Sequence, residues 1–241
     1  MLNFKHILCE TFPEYQDEND KIVNTYFNAV NRWLDNANDS GLKKLPKQMP
    51  LAAYLDLIRY VQRQFIVAHD DSVIDIKTAR LYRGVVVNSA RAKLGEYESE
   101  EADAFWALQS VTIGSKINTM YSMSSYASWT TDYNVALEQF AAFNDFTDDY
   151  QIAIVLEANL PIENIVYFYD LMIDSAAPSL RFIDECEVTI KLSKPILSTI
   201  KYIAAAYCKT KNYKDAIRRE LVKGETPSNF FRAVDAPWTK Q

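Results

Sequence analysis

Residues 184–192 read Asp-Glu-Cys-Glu-Val-Thr-Ile-Lys-Leu, with polar Glu185, Glu187, Thr189 and Lys191 alternating with apolar Cys186, Val188, Ile190 and Leu192. Alternation over eight residues predicts a half-buried β-strand, with one face on the core and the other in water. Side chains two apart on a strand share a face, with Cα atoms roughly 6.5 Å apart. Glu185 and Glu187 are therefore expected to project together from one sheet surface. Alone, a Glu-x-Glu pair reads as a solvated strand face, and what lies upstream decides whether it is more.

Working upstream, Ile173–Phe182 reads as a loop, with Ser175, Ala176, Ala177 and Pro178 inside it. Gln151–Glu157 has strand character, Leu160-Pro161 interrupts it, and Asn164–Tyr169 resumes it. Residues 119–132 are rich in hydroxyls with interleaved aromatics and predict a short strand. Asp132 then stands ready to cap a helix from Tyr133 to Phe143. Ala79–Asn88 is a further strand, with Gly84 where something is expected to approach the backbone closely. Ser99 is the expected N-cap of a helix that opens on Glu100 and Glu101.

The first 70 or so residues differ in kind. Ile22, Val23, Tyr26, Phe27, Val30, Trp33 and Leu34 recur at helical spacing, as do Leu51, Tyr54, Leu55, Ile58, Val61 and Phe65. Asn36–Gly41 is expected to be a polar turn, Pro46–Pro50 a break, and Asp70-Asp71-Ser72 a loop. Downstream of the Glu-x-Glu strand, 198–223 reads as helical through Ile200, Ile203, Ala204, Tyr207, Ala216 and Leu221, and the last dozen residues as irregular. The predicted class is α+β. The predicted organisation is an N-terminal helical lobe over 1–75, a core over 76–195, and a C-terminal helix and tail over 196–241.

Composition bounds the function. The 241 residues are 49% hydrophobic and 13% aromatic, enough for a real core. A net charge of −6 argues against holding nucleic acid by bulk electrostatics. Three separated cysteines, Cys9, Cys186 and Cys208, predict neither a disulfide framework nor a zinc cluster and fit a reducing cytoplasm. Neither a signal-peptide h-region nor a run of about 18 apolar residues occurs, so a soluble protein that does not use a membrane is expected. The five glycines include no P-loop and no dinucleotide-binding turn. The two histidines, His6 and His69, are poorly placed for a hydrolase triad, and no metal-ligand spacing exists. An enzyme of this composition works with carboxylates and an arginine.

Three stretches in chain order complete the pattern: Leu81-Tyr82-Arg83-Gly84, Ser128-Trp129-Thr130-Thr131-Asp132, and Glu185-Cys186-Glu187. Together, over residues 79–192, they resemble the Arg–Ser–Glu class of mono-ADP-ribosyltransferases. That class includes binary actin-modifying toxins, vertebrate ecto-transferases and transferases of T4-like phages. The resemblance implies a core of two steeply crossed, mainly antiparallel small sheets with an NAD cleft, and NAD as co-substrate without a metal. It assigns Arg83, beside Tyr82, to the phosphates and nicotinamide ribose of NAD, a task suited to a bidentate guanidinium. Gly84 would let the nicotinamide amide pair with the backbone. Ser128 would orient Glu187, Thr130 would support the same strand, and Phe140 would lie against nicotinamide or simply face the core. Trp129 departs from the commoner Ser-Thr-Ser.

Within the class, Glu187 stabilises the oxocarbenium-like charge that builds on the ribose as nicotinamide leaves. Glu-x-Glu accompanies transfer to arginine, and Glu185 is then the base that takes the guanidinium proton. Phe182 is an expected acceptor contact. The implied activity is NAD-dependent transfer of ADP-ribose onto arginines of target proteins, host transcription or translation machinery among them, by a phage or bacterial effector. Use of an RNA-linked NAD is not readable. An NAD glycohydrolase would keep Arg83 and Glu187 and dispense with Glu185; a non-catalytic NAD-binding or interaction module would keep the fold alone.

Overall fold

The computed structural model describes residues 16–36, 39–89, 100–119, 125–143, 150–172, 186–192, 194–208 and 213–240. Ser99, Phe182, Glu185 and the expected loop from 173 lie outside them. The chain forms two compact units that exchange the backbone several times. Unit 1 is Met1–Arg80, Met123–Thr131 and Leu160–Ser193, and unit 2 is Leu81–Ser122, Asp132–Asn159 and Lys194–Gln241.

Among the described residues unit 1 holds three α-helices, α1 (Gln16–Asn36), α2 (Ser40–Gln48) and α3 (Leu51–Ala68). In α1 the buried positions Val23, Tyr26, Ala29, Val30 and Trp33 fall at helical spacing, and in α3 so do Tyr54, Leu57, Val61 and Phe65. Met49 and Pro50 still break the chain, but the end of the expected turn and the start of the expected break are one helix, Ser40–Gln48. Leu42 and Leu45 bury its inner face, and Gly41 lets it approach α1 so closely that a Cβ would stand 3.1 Å from the Ala29 Cα. Burial of two leucines, about 1.5–3 kcal/mol each, outweighs the polar composition. Pro46 lies inside α2, two residues before its end, and gives up one intrahelical hydrogen bond there.

The strands of unit 1 are β1 (Val73–Asp75), the first residues of β2 (Thr78–Asn88), β4 (Tyr126–Thr130), β6 (Ile165–Phe168) and β7 (Glu187–Lys191). β7 pairs antiparallel with β4 on one side and with β6 on the other. Helix α1 is fastened to β6 by the Tyr26 hydroxyl, which donates to the Val166 carbonyl at 2.6 Å. Helix α3 is fastened by Gln62, whose amide donates to the carbonyls of Glu163 at 2.9 Å and Ile165 at 3.3 Å. His69, ending α3, lies 3.1 Å from the Asp170 carboxylate and against the rings of Phe65 and Phe168.

Buried phenols make this unit sensitive to alkali. Burial pushes Tyr26 and Tyr167 far above the usual tyrosine range, and pushes Tyr126 up to about 12, with Tyr54 and Asp39 adding to it. Unfolded, each would titrate near 10. The native state keeps protons that the unfolded chain releases, so this stability is complete below pH 10 and is lost as pH rises toward 12. Each phenol so retained costs up to about 1.4 kcal/mol per pH unit. The urea midpoint is expected to fall steeply between pH 10 and 11; a flat midpoint would contradict the buried placement.

Unit 2 contains most of β2, with α4 (Glu100–Ala107), β3 (Lys116–Thr119), α5 (Tyr133–Val135), β5 (Tyr150–Pro161 by its full bounds), β8 (Ile196–Tyr207), β9 (Ile217–Glu220) and α6 (Pro227–Ala233). Its strand order is β3-β8-β5-β2, with β9 beside β8. The segment expected to be one long C-terminal helix is β8 and β9. Ile196, Thr199, Ile200, Tyr202 and Ile203 favour the pleated state, and β8 is paired antiparallel by β5 on one edge and by β3 and β9 on the other. Tertiary pairing thus overrides the helix propensity of Ala204–Ala206. Leu160-Pro161 ends β5 without interrupting it. The expected irregular tail, the last dozen residues, begins inside α6, which is capped by Thr226, whose hydroxyl accepts the Asn229 amide at 3.3 Å, with Pro227 at the first turn.

The pairings β1–β2, β3–β8, β4–β7, β5–β8, β6–β7 and β8–β9 are all antiparallel. The class is α+β, as the sequence predicts. No helix among the described residues is long and apolar enough to cross a membrane.

Candidate active site

Glu187 opens β7 and lies opposite Thr130 of β4, while Ser128 lies opposite Thr189. Directly paired residues share a face, so these four side chains form one polar row. Trp129, Val188 and Ile190 occupy the other face and are buried. The alternation therefore holds over 187–191, but its polar face is buried at Glu187 and Thr189 and reaches water at Lys191. Thr130 and Thr189 are wholly buried and Glu187 is 5% exposed.

The glutamate is satisfied by the side chains around it. Ser128 Oγ donates to Glu187 Oε1 at 2.7 Å. Thr189 Oγ1 donates to the same oxygen at 3.1 Å, and Trp33 Nε1, from α1, at 3.2 Å. An ionised carboxylate only accepts, and an indole N–H only donates, so three donors on one oxygen match the ionised form. Hydrogen bonds to a charged acceptor are worth about 1.5–3 kcal/mol, enough to hold a buried carboxylate that would otherwise be costly. Tyr167, opposite Thr189 on β6, contributes a neutral phenol: burial first, then Tyr26 and Glu187, raise its pKa.

The expected link between Ser128 and Glu187 is thus present. Trp33 and Thr189 were not anticipated as partners. Trp33 reads in sequence as one of several apolar residues on a helix face, and Thr189 as one polar position in an alternating strand. Neither carries a sign that a carboxylate 154 residues away, or two away, will accept its hydrogen bond.

The second carboxylate of the motif lies outside the described residues, and the strand argument that paired it with Glu187 does not extend to it. β7 begins at Glu187, and Cys186 has a φ of 45°, in the left-handed region. An extended i, i+2 relation cannot be assumed across such a residue.

Tyr82, Arg83, Gly84 and Phe140 belong to unit 2. Arg83 is half-buried on β2. Tyr82 meets Tyr133 edge to face, with ring centroids 5.7 Å apart. Asp132 caps α5 as expected, its carboxylate accepting the amides of Asn134 at 2.7 Å and Val135 at 3.4 Å. The helix is shorter than predicted: one turn passes into a π-type turn over Ala136–Phe140, closed by the Ala141 amide on the Ala136 carbonyl at 2.9 Å.

The close approach expected at Gly84 is made by this turn. A Cβ on Gly84 would stand 2.1 Å from the Ala136 carbonyl oxygen, 2.6 Å from the Ala141 nitrogen and 2.7 Å from the Phe140 carbonyl carbon. Gly84 and Phe140 are therefore neighbours through their backbones.

Among the described residues no group of three or more His, Cys, Asp or Glu side chains could hold a metal ion. Compared with known families, curated proteins and solved structures, the chain matches no family model, no curated protein and no solved structure.

Proposed function

We propose that the chain is an NAD-dependent mono-ADP-ribosyltransferase that moves ADP-ribose from NAD onto arginine side chains of target proteins. The observation that carries the reading is the 2.7 Å hydrogen bond from Ser128 Oγ to the buried Glu187 carboxylate, a link the resemblance implies. In this reading the bond between nicotinamide and ribose C1′ breaks, and its electron pair leaves with nicotinamide. Glu187 stabilises the positive charge that develops on the ribose. A guanidine nitrogen of the target bonds to C1′, and its proton passes to Glu185 as base.

Arg83, beside Tyr82, is the residue assigned to the phosphates of NAD; Gly84, Thr130 and Phe140 complete the proposed NAD-binding set. The finer fold reading is an ADP-ribosyltransferase-type core with an NAD cleft, working in a cytoplasm on proteins such as transcription or translation machinery. No metal takes part in this scheme.

A second reading, an NAD glycohydrolase, differs only in the acceptor, which is water. It gains weight from the left-handed Cys186, which removes the strand geometry that argued for Glu185 as a paired base. Incubating the protein with labelled NAD and a bacterial lysate separates the two. Transfer predicts label on proteins that resists neutral hydroxylamine, together with free nicotinamide. Nicotinamide without protein label means the glycohydrolase. Neither product, in lysates of several hosts, removes the enzyme reading and leaves a binding module.

A further inference from the structure

We infer that Trp33 is a positioning residue for Glu187, which makes helix α1 a working part of the site. This rests on the proposed role of Glu187 toward the ribose. Of the three donors on Glu187 Oε1, Ser128 and Thr189 belong to the paired strands β4 and β7 and move with the carboxylate. Trp33 comes from outside that pair, and its Nε1 stands 3.2 Å from Oε1.

The three donors also differ in freedom. A hydroxyl hydrogen rotates to suit its acceptor, whereas an indole N–H points where its ring points. The Trp33 ring is itself held. It is 6% exposed and lies against Tyr126, with ring centroids 6.3 Å apart. Two helical turns earlier, Tyr26 fastens α1 to β6 through its 2.6 Å bond to the Val166 carbonyl. Tyr26 and Trp33 lie on one face of the helix, seven residues apart. The helix is thereby held over both neighbours of the site, and the N–H direction selects one orientation of the Glu187 carboxylate. Without it, the carboxylate loses a donor of fixed direction, while the rotatable hydroxyls of Ser128 and Thr189 can follow it into other orientations.

The test is Trp33→Phe, which keeps a buried aromatic ring and removes the N–H. Nicotinamide release is expected to lose about tenfold in kcat, the size of one hydrogen bond to a charged group. The KM for NAD is expected to change less than twofold, because the residue acts through the carboxylate. Ring loss as such would move stability without this split. In protein labelled with ¹³C-glutamate, the Glu187 carboxyl resonance is expected to shift in the variant. An unmoved carboxyl signal with kcat within twofold of wild type overturns the inference. Should wild type release no nicotinamide, the proposed function falls, and the carboxyl signal alone decides for or against Trp33 as the residue that orients Glu187. If Trp33→Phe does not fold, the Trp33 indole N–H resonance is compared between wild type and Glu187→Gln. A displaced signal supports the contact, and an unchanged one refutes it.

Discussion

Glu187→Gln is expected to lower nicotinamide release from NAD roughly a thousandfold and leave the fold in place. The magnitude is that of removing a preorganised charge-stabilising group from a site shielded from water. The substitution is nearly isosteric and its amide oxygen still accepts, so Ser128, Thr189 and Trp33 are not all orphaned. What is lost is the negative charge that opposes the developing charge on the ribose. Stability is expected to change by about 1 kcal/mol, in the range of one altered hydrogen bond. Glu187→Ala is a poorer probe, because it leaves three buried donors facing a cavity. Paired urea unfolding and nicotinamide assays check both halves. Activity within tenfold of wild type in a folded Glu187→Gln protein would exclude Glu187 from the chemistry.

How much of this site was legible depends on which physical signal each residue carries. Ser128 and Glu187 stand in short local patterns, and the link between them is what the family resemblance implies; the pairing of β4 with β7 that brings them together carries no local sign. Asp132 was readable because a cap acts on the amides two and three residues ahead of it. Trp33 was not, because nothing local distinguishes an indole that buries its ring from one that also donates a hydrogen bond to a distant carboxylate. The burial of the polar face of β7 was equally hidden. Alternation reports that two faces differ, and a helix that brings a matching donor can cover the polar one.

The misread C-terminal segment has the opposite cause. Ala204–Ala206 and the spacing of Ile200, Ile203 and Tyr207 satisfy a helical template locally. The state of 196–207 is decided by β5, whose residues Tyr150–Glu157 lie more than 40 positions away and supply a hydrogen-bonded edge along most of its length. At α2, likewise, a short polar segment became a helix because Leu42 and Leu45 had a surface to bury against. Local propensity spans about 1 kcal/mol per residue or less, and such long-range burial exceeds it.

Gly84→Ala is expected to be the most destabilising conservative substitution in unit 2. Glycine is often invoked for its backbone freedom, but at Gly84 the constraint is space. The three atoms within 2.1–2.7 Å of an added Cβ are all backbone atoms of the π-type turn. No side-chain rotation relieves the overlap, so β2 or the Ala136–Ala141 segment must move. Forcing a methyl group into such packing costs about 3 kcal/mol, the upper end of the usual overpacking range. Displacement of the turn also shifts Phe140 and the strand carrying Arg83, so NAD binding is expected to weaken along with stability. Gly224 provides the contrast. Its φ is 88°, which disfavours alanine by about 1–2 kcal/mol, yet nothing lies within 4 Å of where a Cβ would stand. The two substitutions thus separate lack of room from lack of conformational freedom. In urea unfolding, both midpoints are expected to fall at unchanged slope, Gly84→Ala further than Gly224→Ala, and only Gly84→Ala is expected to reduce NAD affinity by calorimetry. The reverse order would mean that the π-type turn does not pack on Gly84 in solution.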